Sequence, residues 1–394
     1  MGISNEMLAA KVEEIAEHVI HMRRVLHRIP ELAFCEEKTA AYIAEQLDKI
    51  GIPYQKGVAK TGVVALIEAK NAEKTLLIRA DMDALPMDEK KDCEFSSIHA
   101  GRMHACGHDA HTAVLLGAAE ILWQLKEHLS CNVKLLFQPA EEGVGGALPM
   151  IEEGVMENPT VTAALALHVM NDAKVGTVAL KPDGIMACPD EFDLKVIGKG
   201  GHAAYPELCI NPISVVSEIV LAFSELANKL NRPERPVVIS VCGVQAGTTA
   251  HNIIPETAQI LGTVRLYDKT IRAEIPGLLE EIIREKAEKY GARYEWDYRL
   301  MYPPLINDEA MTKEVSRLLS EILGEEQVGV CKASMGGEDF AYFTERVPGV
   351  YFNLGTGNAE KGIDMPLHSP DFKIDEEALK IGVLAFCKVA LEYK

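Results

Sequence analysis

The sequence predicts an α/β protein of two domains, and three observations support that prediction. The chain has 394 residues, which is more than one hydrophobic core commonly holds. In the first half, short runs rich in Val, Ile and Leu alternate with segments of helical periodicity, as in a sheet covered by helices. Between residues 185 and 296, apolar and polar residues instead alternate one by one, which is typical of half-buried antiparallel strands. We therefore expect a mixed-sheet α/β/α domain from residues 1–184 and 297–394, with an inserted α+β two-layer domain at residues 185–296.

Periodicity and helix-ending residues locate the elements of the α/β domain. Apolar residues at helical spacing predict a first helix that Pro30 ends and a second helix that ends at Gly51. Short apolar runs then predict buried strands, because both faces of such a sheet are covered. The predicted helices span residues 7–27, 36–50, 109–127, 308–323 and 376–393, and the predicted strands span residues 62–67, 76–80, 133–138, 163–169 and 350–354.

The inserted segment has a different pattern. Its strands alternate apolar and polar residues, most clearly in Phe192–Gly198. The predicted order is strand, helix, strand, strand, helix, over residues 192–198, 212–230, 237–244, 258–266 and 270–290. A block of this kind packs its helices on one face of an antiparallel sheet.

Composition and charge exclude several classes of protein. The chain carries 40 basic and 59 acidic residues, a formal net charge of −19, which disfavours binding to nucleic acid or to anionic membranes. The sequence has no apolar run of the ~18 residues that a membrane-spanning helix needs, and it has no signal-peptide pattern. The nine Cys are scattered and odd in number, as in a reduced protein. We therefore expect a cytoplasmic protein without nucleic-acid or membrane partners.

The segment Met103–His111 concentrates metal-binding side chains. It holds three His, one Cys and one Asp in nine residues, directly before an apolar helical run. In a loop that bends at Gly107, Cys106 and His108 can turn toward one point. Asp109 then suits the N-cap of the helix. A thiolate and an imidazole that converge indicate a transition-metal site; the alternative is a catalytic or incidental Cys near unrelated histidines.

Further candidate side chains follow predicted strands or lie in a rigid loop. Asp81, Glu141 and Glu142 each follow a strand, where the carboxyl ends of strands in an α/β sheet commonly form a site. Of two adjacent carboxylates, one can bind a metal while the other acts as a general base. His168 ends an apolar strand, and His368 stands in a loop flanked by prolines, which reduces the entropy of ordering it. The alternatives are solvated acids in turns, a hydrogen-bonded core histidine and an exposed loop histidine.

Nine motifs, in their order along the chain, resemble those of the M20 family of metallopeptidases and amidohydrolases. The branch that they resemble most includes N-acyl-amino-acid amidohydrolases, hippurate hydrolases and auxin-conjugate hydrolases. Each motif alone is weak, but the ordered set is specific and covers nearly the whole chain. The motifs are His27–Glu31, Arg79–Pro86, Met103–His111, Phe137–Gly143, Leu167–Val169, Gly198–Pro206, Ala250–Pro255, Gly336–Phe340 and Leu367–Pro370.

The resemblance implies a site with two divalent metal ions per chain. The ligands that it implies are Cys106, His108, Glu142, His168 and His368. It also implies that Glu141 is the general base, which takes a proton from water and delivers it to the leaving amine. Asp81 and Asp109 are expected to support the ligands. Thiolate and imidazole suit zinc, and the remaining ligands also accept manganese, cobalt or nickel.

The inserted domain resembles the lid domain of the family, which also forms a dimer contact. His202 matches the lid histidine that helps to hold the carbonyl oxygen of the substrate, and it can reach the site of a partner subunit. Asn252 and Arg265 fall in lid segments that can contact substrate. The partners that the resemblance implies are therefore a small N-acyl amino acid or short peptide, and further copies of the chain in a homodimer or higher homo-oligomer.

The expected reaction is hydrolysis of an N-acyl-L-amino acid, with an N-acetyl or aromatic acyl group, to a carboxylic acid and a free amino acid. The first alternative is a metallo-carboxypeptidase or dipeptidase that uses the same site. A second is a hydrolase with Cys106 as nucleophile and His108 or His111 as base. A third is a non-enzymatic binding protein, which the complete ligand set disfavours. The preferred acyl group, the amino acid and the native metal are left open.

Overall fold

The computed structural model describes residues 3–90 and 93–394. The helices of these residues are α1 (Asn5–Arg28), α2 (Glu37–Ile50), α3 (His108–Gln124), α4 (Ala147–Glu152), α5 (Pro212–Leu230), α6 (Lys269–Tyr290), α7 (Glu309–Leu323), α8 (Ala341–Thr344) and α9 (Glu377–Glu392). The strands are β1 (Tyr54–Val58), β2 (Gly62–Ile67), β3 (Thr75–Asp81), β4 (Asn132–Gln138), β5 (Ala163–Lys174), β6 (Val178–Ala179), β7 (Asp183–Met186), β8 (Cys188–Ile197), β9 (Gly201–His202), β10 (Val237–Ala246), β11 (Ile253–Ile254), β12 (Thr257–Leu266), β13 (Arg293–Arg299), β14 (Leu305–Asn307), β15 (Val328–Gly329) and β16 (Gly349–Gly357). Across the described ranges, every helix is too short or too polar to span a bilayer.

The chain forms two compact units. The first contains residues up to Asp183 together with 306–332 and 342–394, and the second contains residues 184–305 and 333–341. The second unit extends beyond the predicted boundary at residue 296, because strand β13 pairs with β8 along its full length, from Arg293 to Arg299. The catalytic and lid roles of the two segments remain predictions.

In the described part of the first unit, eight strands form the mixed sheet that the sequence predicts. Their order is β1-β2-β4-β3-β5-β16-β6-β15. Strands β4, β3, β5 and β16 run parallel to one another, whereas β2 runs antiparallel to β4. All seven residues of β3 are buried. Since alternate residues of a strand face opposite sides, both faces of the sheet are covered at β3, which explains the apolar run 76–78 within it.

Helix α3 lies at the centre of the first unit. Most of its side chains are buried, because α1, α9 and the sheet pack around it. Gly117 permits this packing: a Cβ there would lie 2.7 Å from Val19 Cγ2 of α1 and 2.9 Å from Val383 Cγ2 of α9, closer than carbon atoms pack. The two neighbouring helices thus fix the position of α3, whose first turn carries His108.

The second unit has the two layers that the sequence predicts for the inserted segment. Its antiparallel sheet has the order β10-β12-β8-β13, and α5 and α6 pack against it. Burial alternates along β8, so that Phe192 and Leu194 lie in the core between sheet and helices. The rings of Phe192 and Phe223 of α5 lie edge to face, with centroids 5.6 Å apart.

Candidate active site

Parallel strands bring the candidate residues to one edge of the large sheet. Asp81 of β3 pairs with Gln138 of β4, just before the turn that carries the two glutamates. Arg79 of β3 pairs with Ala166 of β5, so Asp81 and His168 lie at the same level two residues further on. The carboxyl ends of adjoining parallel strands therefore meet at this edge, where sites in α/β proteins commonly form.

A left-handed glycine directs Cys106 and His108 toward one point. Gly107 has a φ of 88°, and a Cβ at this position would lie 2.3 Å from Val169 Cγ2, so both features require glycine. Gly107, and not Asp109, is the N-cap residue of α3. The expectation of an Asp109 cap is wrong, because α3 begins at His108, two residues before the start that an Asp109 cap would give.

Asp109 belongs instead to a buried ion-pair network that joins α3 to α1. Its Oδ2 lies 2.7 Å from Arg23 Nε and 2.8 Å from His27 Nδ1. Burial alone would raise the pKa of Asp109, but Arg23 and His27 outweigh it and hold the pKa well below its usual value. The carboxylate therefore anchors the helix that carries His108, rather than orienting a single ligand.

The five predicted ligand side chains converge. Cys106 Sγ lies 3.4 Å from His168 Nε2 and 3.3 Å from His368 Nε2. Glu142 Oε1 lies 3.2 Å from His368 Nε2 and 3.9 Å from His108 Nε2. One sulfur, one carboxylate and three imidazoles therefore face a common space.

Hydrogen bonds at Nδ1 leave Nε2 of His108 and of His168 facing the other predicted ligands. His168 Nδ1 donates to Val169 O at 2.8 Å, and burial lowers the pKa of His168 to about 3. His108 Nδ1 donates to Asp83 Oδ1 at 3.2 Å. When each ring is neutral, as metal binding requires, its Nε2 presents a lone pair. Among the described residues, His108 Nε2 and Glu142 Oε1 have no partner with hydrogen-bond geometry, which is unusual for buried polar atoms.

The electrostatics of the site favour a bound cation. Burial disfavours a charged imidazole, but Asp81, Asp83 and Glu142 outweigh it and raise the pKa of His108 to about 10. Burial, followed by the charge of Glu142, raises the pKa of the Cys106 thiol well above its usual value. The proton on His108 thus offsets part of the buried negative charge, the proton on Cys106 keeps its sulfur neutral, and a divalent cation would displace both protons.

Asp83 positions two of the predicted ligands at once. Its Oδ1 accepts from His108 Nδ1, and its Oδ2 accepts from the backbone N–H of Glu142 at 3.0 Å. Sequence reasoning notes both acids at the end of this strand but assigns the supporting role to Asp81 alone. The one available signal is that both acids follow the same strand, and only the fold shows which of them contacts the ligands.

Asp81 belongs to a second cluster, with Arg79 and His111. Arg79 Nη1 and His111 Nδ1 each lie 2.6 Å from its carboxylate, and His111 Nε2 accepts from Val169 N at 3.0 Å. Burial would raise the pKa of Asp81, but Arg79, His108 and His111 hold it well below its usual value. Both carboxylate oxygens and both nitrogens of His111 thus have protein partners. This cluster supports the site from the sheet side.

A buried carboxylate holds the turn that carries Glu141 and Glu142. Ala140 has a φ of 59°, which is unfavourable for residues other than glycine. Its N–H donates to Glu36 Oε1 at 2.9 Å, and burial raises the pKa of Glu36. Ligand atoms of His108, Glu141 and Glu142 lie within 4.8 Å of one another. The turn therefore presents the adjacent carboxylates of Glu141 and Glu142 to the imidazole of His108. The carboxylate of Glu142 also contacts His368.

The candidate residues of the inserted segment lie in the second unit. His202 is exposed at the end of β9, which pairs with β11. Its Nδ1 accepts from Ala204 N at 3.1 Å, so its Nε2 carries the proton. The backbone of Asn252 accepts from Ala203 N at 3.0 Å, which brings Asn252 beside His202. Arg265 lies on β12, and its Nη1 donates to Met335 O at 3.4 Å.

Comparisons with known proteins match most of the chain. Residues 77–392 match the family described as peptidase family M20/M25/M40. Thermostable carboxypeptidase 2 of Saccharolobus solfataricus is 40% identical over 98% of each chain. N-acetylcysteine deacetylase of Bacillus subtilis is 36% identical over 95% of this chain and 96% of its own. The crystal structure of the Bacillus subtilis YxeP protein, a dinuclear metal-binding peptidase from the M20 family, is 34% identical and covers 96% of this chain and 98% of its own, with a TM-score of 0.85.

Proposed function

The chain belongs to peptidase family M20/M25/M40 and is a hydrolase, and from this premise we propose its substrate class and its site. The substrates are N-acyl-L-amino acids with N-acetyl or aromatic acyl groups, and water cleaves the amide bond to give a carboxylic acid and a free amino acid. The observation that carries the proposal is the convergence of five metal-binding side chains beside a further carboxylate. The deacetylase relative supports the substrate class.

The donor set fits two divalent cations. The proposed ligands are Cys106, His108, Glu142, His168 and His368. Sulfur and imidazole donors suit zinc, cobalt and nickel, and the carboxylate also suits manganese. Among the described residues, Nε2 of His108 and Oε1 of Glu142 have no partner with hydrogen-bond geometry, and this supports the assignment together with the excess of buried carboxylates. Divalent ions held there would polarise the amide carbonyl and acidify the attacking water.

Glu141 is the proposed general base. It precedes Glu142, and adjacent side chains in a turn leave in different directions, so one can serve as a ligand while the other faces the attacking water. A carboxylate oxygen of Glu141 takes a proton from the attacking water and then delivers it to the amide nitrogen as the C–N bond breaks. The proton is thus conserved, and the amine leaves in neutral form.

The proposed substrate contacts of the second unit are His202, Asn252 and Arg265. The N–H that His202 keeps on Nε2 suits it to donate to the developing oxyanion. We also propose that the second unit joins copies of this chain into a homodimer or higher homo-oligomer, and that the protein works in the cytoplasm.

A panel of substrates separates this proposal from the carboxypeptidase alternative, which the 40% identical Saccharolobus relative favours. The protein would be stripped of metal, reloaded with zinc, manganese, cobalt or nickel, and assayed on N-acetyl-amino acids, N-benzoyl-amino acids and dipeptides. We expect the highest kcat/KM on the N-acyl amino acids. A higher value on dipeptides would favour the carboxypeptidase, and no hydrolysis with any metal would overturn both.

The chemistry of Cys106 disfavours a cysteine-nucleophile hydrolase. The side chain is buried, and the pKa of its thiol is raised by burial and by Glu142, whereas a nucleophilic cysteine needs a lowered pKa. A chelator should therefore abolish activity, and added metal should restore it. A nucleophilic thiol would instead survive the chelator and be lost to an alkylating agent.

A further inference from the structure

His368 is a predicted ligand that its own surroundings hold weakly. It lies between Ile363 and α9 in a segment without helix or strand. Its side chain is 53% exposed, and its backbone has a φ of 63°, a conformation that surrounding structure must impose on residues other than glycine. Its Nε2 nevertheless lies within 3.3 Å of Cys106 Sγ. Contacts from other parts of the first unit must therefore fix the segment.

Asn171 makes such contacts on both sides of His368. It lies on β5, three residues beyond His168, and is 8% exposed. Its Nδ2 donates to Met365 O and to Lys373 O, each at 2.8 Å. One amide group thus binds the chain three residues before and five residues after His368.

The same amide is itself held in orientation. Thr356 Oγ1, which is fully buried on β16, donates to Asn171 Oδ1 at 2.7 Å. With the oxygen occupied by a donor, the two N–H groups of Asn171 point at the two carbonyls. Between these points, His368 N donates to Ala105 O at 2.8 Å, next to Cys106. The loop is therefore tied to β5 at its two ends and to the Cys106 segment at its centre.

We propose that Asn171 is a positioning residue, which clamps the 365–373 loop and so delivers His368 to the metal-binding cluster. This inference rests on the proposed function, in which His368 is a ligand. Asn171 acts through the loop: its amide bonds are to the carbonyls of Met365 and Lys373 and to Thr356. Buried side-chain amides elsewhere in the first unit make similar hydrogen bonds. The proposed role of Asn171 therefore follows from its position beside the 365–373 loop.

Asn307 provides a matched control. It is 2% exposed, its Nδ2 donates to Lys181 O at 3.0 Å and to Tyr351 O at 2.9 Å, and its Oδ1 accepts from Tyr351 N at 2.8 Å. It therefore matches Asn171 in burial and in number of hydrogen bonds, but it ties together other segments. Loss of either amide should cost comparable stability, and only loss of Asn171 should change metal binding.

The test is a Co²⁺ titration of metal-free full-length protein, with a competing chelator to resolve two binding steps. The variants are Asn171→Ala, Asn307→Ala, His368→Ala and the nearly isosteric Thr356→Val, which keeps the packing and removes only the bond that orients the amide.

We expect Asn171→Ala to weaken one Co²⁺ site by roughly 10–100-fold, the scale typical of residues that orient metal ligands. The other site should keep wild-type affinity. Thr356→Val should weaken the same Co²⁺ site by a smaller factor. Asn307→Ala should bind two ions with wild-type affinity.

The outcomes separate the inference from its premise. If His368→Ala loses one Co²⁺ site while Asn171→Ala and Thr356→Val bind both ions normally, the clamp is wrong and the ligand assignment stands. If Asn171→Ala and Asn307→Ala weaken binding equally, the effect is general destabilisation and the clamp is again wrong. If His368→Ala itself binds both ions with wild-type affinity, the ligand assignment fails and the clamp fails with it.

Discussion

Two clusters of imidazole and carboxylate lie side by side in the first unit, and they differ in what their atoms contact. In the cluster of Asp81 and His111, every side-chain oxygen and ring nitrogen has a protein partner. In the cluster of His108 and Glu142, one nitrogen and one oxygen are left without a hydrogen-bond partner among the described residues. The residue types are alike, so they do not distinguish a support from a binding site. Between these two clusters, the unsatisfied atoms make that distinction.

The largest expected effect separates chemistry from metal binding. Glu141→Gln removes the proton acceptor but keeps the five proposed ligands, so activity should fall on the order of 10²–10⁴-fold, while metal content measured by mass spectrometry stays at the wild-type level. Glu141→Asp serves as a control that retains a carboxylate and should recover part of the rate. Normal turnover by Glu141→Gln would show that another group is the base.

Asp81→Asn should act on stability. The substitution leaves Arg79 buried without its charged partner, since both side chains are fully buried in the native protein, and breaking such a pair costs about 3 kcal/mol or more. Urea unfolding of the metal-free protein would measure the loss. If the cluster of Asp81 and His111 only supports the site, Asp81→Asn should change the free energy of metal binding less than it changes the free energy of unfolding. If Asp81→Asn keeps the wild-type free energy of unfolding but binds metal more weakly, the roles that we assign to the two clusters are reversed.

Asp83→Asn should act on metal binding, by roughly 10–100-fold. Asp83 accepts hydrogen bonds from His108 and from the Glu142 backbone, and an amide can accept only one of them, because its NH₂ opposes the other donor. Chelator competition on this variant and on Asp81→Asn gives a direct contrast. Equal metal affinities of Asp83→Asn and Asp81→Asn would mean that the two clusters do not have separate roles in stability and in metal binding.

The smallest expected effect is on acid stability. The pKa of Asp81 is held below its usual value, so its stabilising contribution is complete above the unfolded pKa of about 3.9 and is lost as the pH falls through the folded pKa. The stability gap between metal-free wild type and Asp81→Asn should therefore be constant from pH 7 to pH 5 and narrow below about pH 4. A gap that widens with acid would contradict the sign of the shift.

Local patterns account for much of what the sequence predicts correctly. The apolar run in β3 and the one-by-one alternation in β8 indicate how many faces of each strand are covered. The predicted α/β class and the predicted family are both confirmed. The five ligands and Glu141 remain predictions about role, although the fold brings their side chains together. Gly107 is the local feature that makes Cys106 and His108 converge.

What the sequence does not reveal depends on contacts between distant residues. The Asn171 bond to Lys373 joins positions 202 apart in the chain, and nothing near Asn171 marks it. Asp81 and Asp83 have nearly identical local settings, and only the register of β3 with its neighbours assigns them different partners. The cap predicted for Asp109 fails for a related reason: the buried ion pair with Arg23 of α1 outweighs a local capping preference.

The packing at Gly117 has a consequence for folding. Helix α3 completes its core only when α1 and α9 both reach it, and the ion pair between Arg23 and Glu376 spans 353 positions of sequence. Contacts of such separation slow folding, because loop closure precedes the burial that rewards it. During synthesis, we therefore expect the face of α3 that α9 covers to stay open until α9 has emerged from the ribosome. Over that interval the nascent chain is exposed to aggregation, and chaperones that cover apolar helices would act on it.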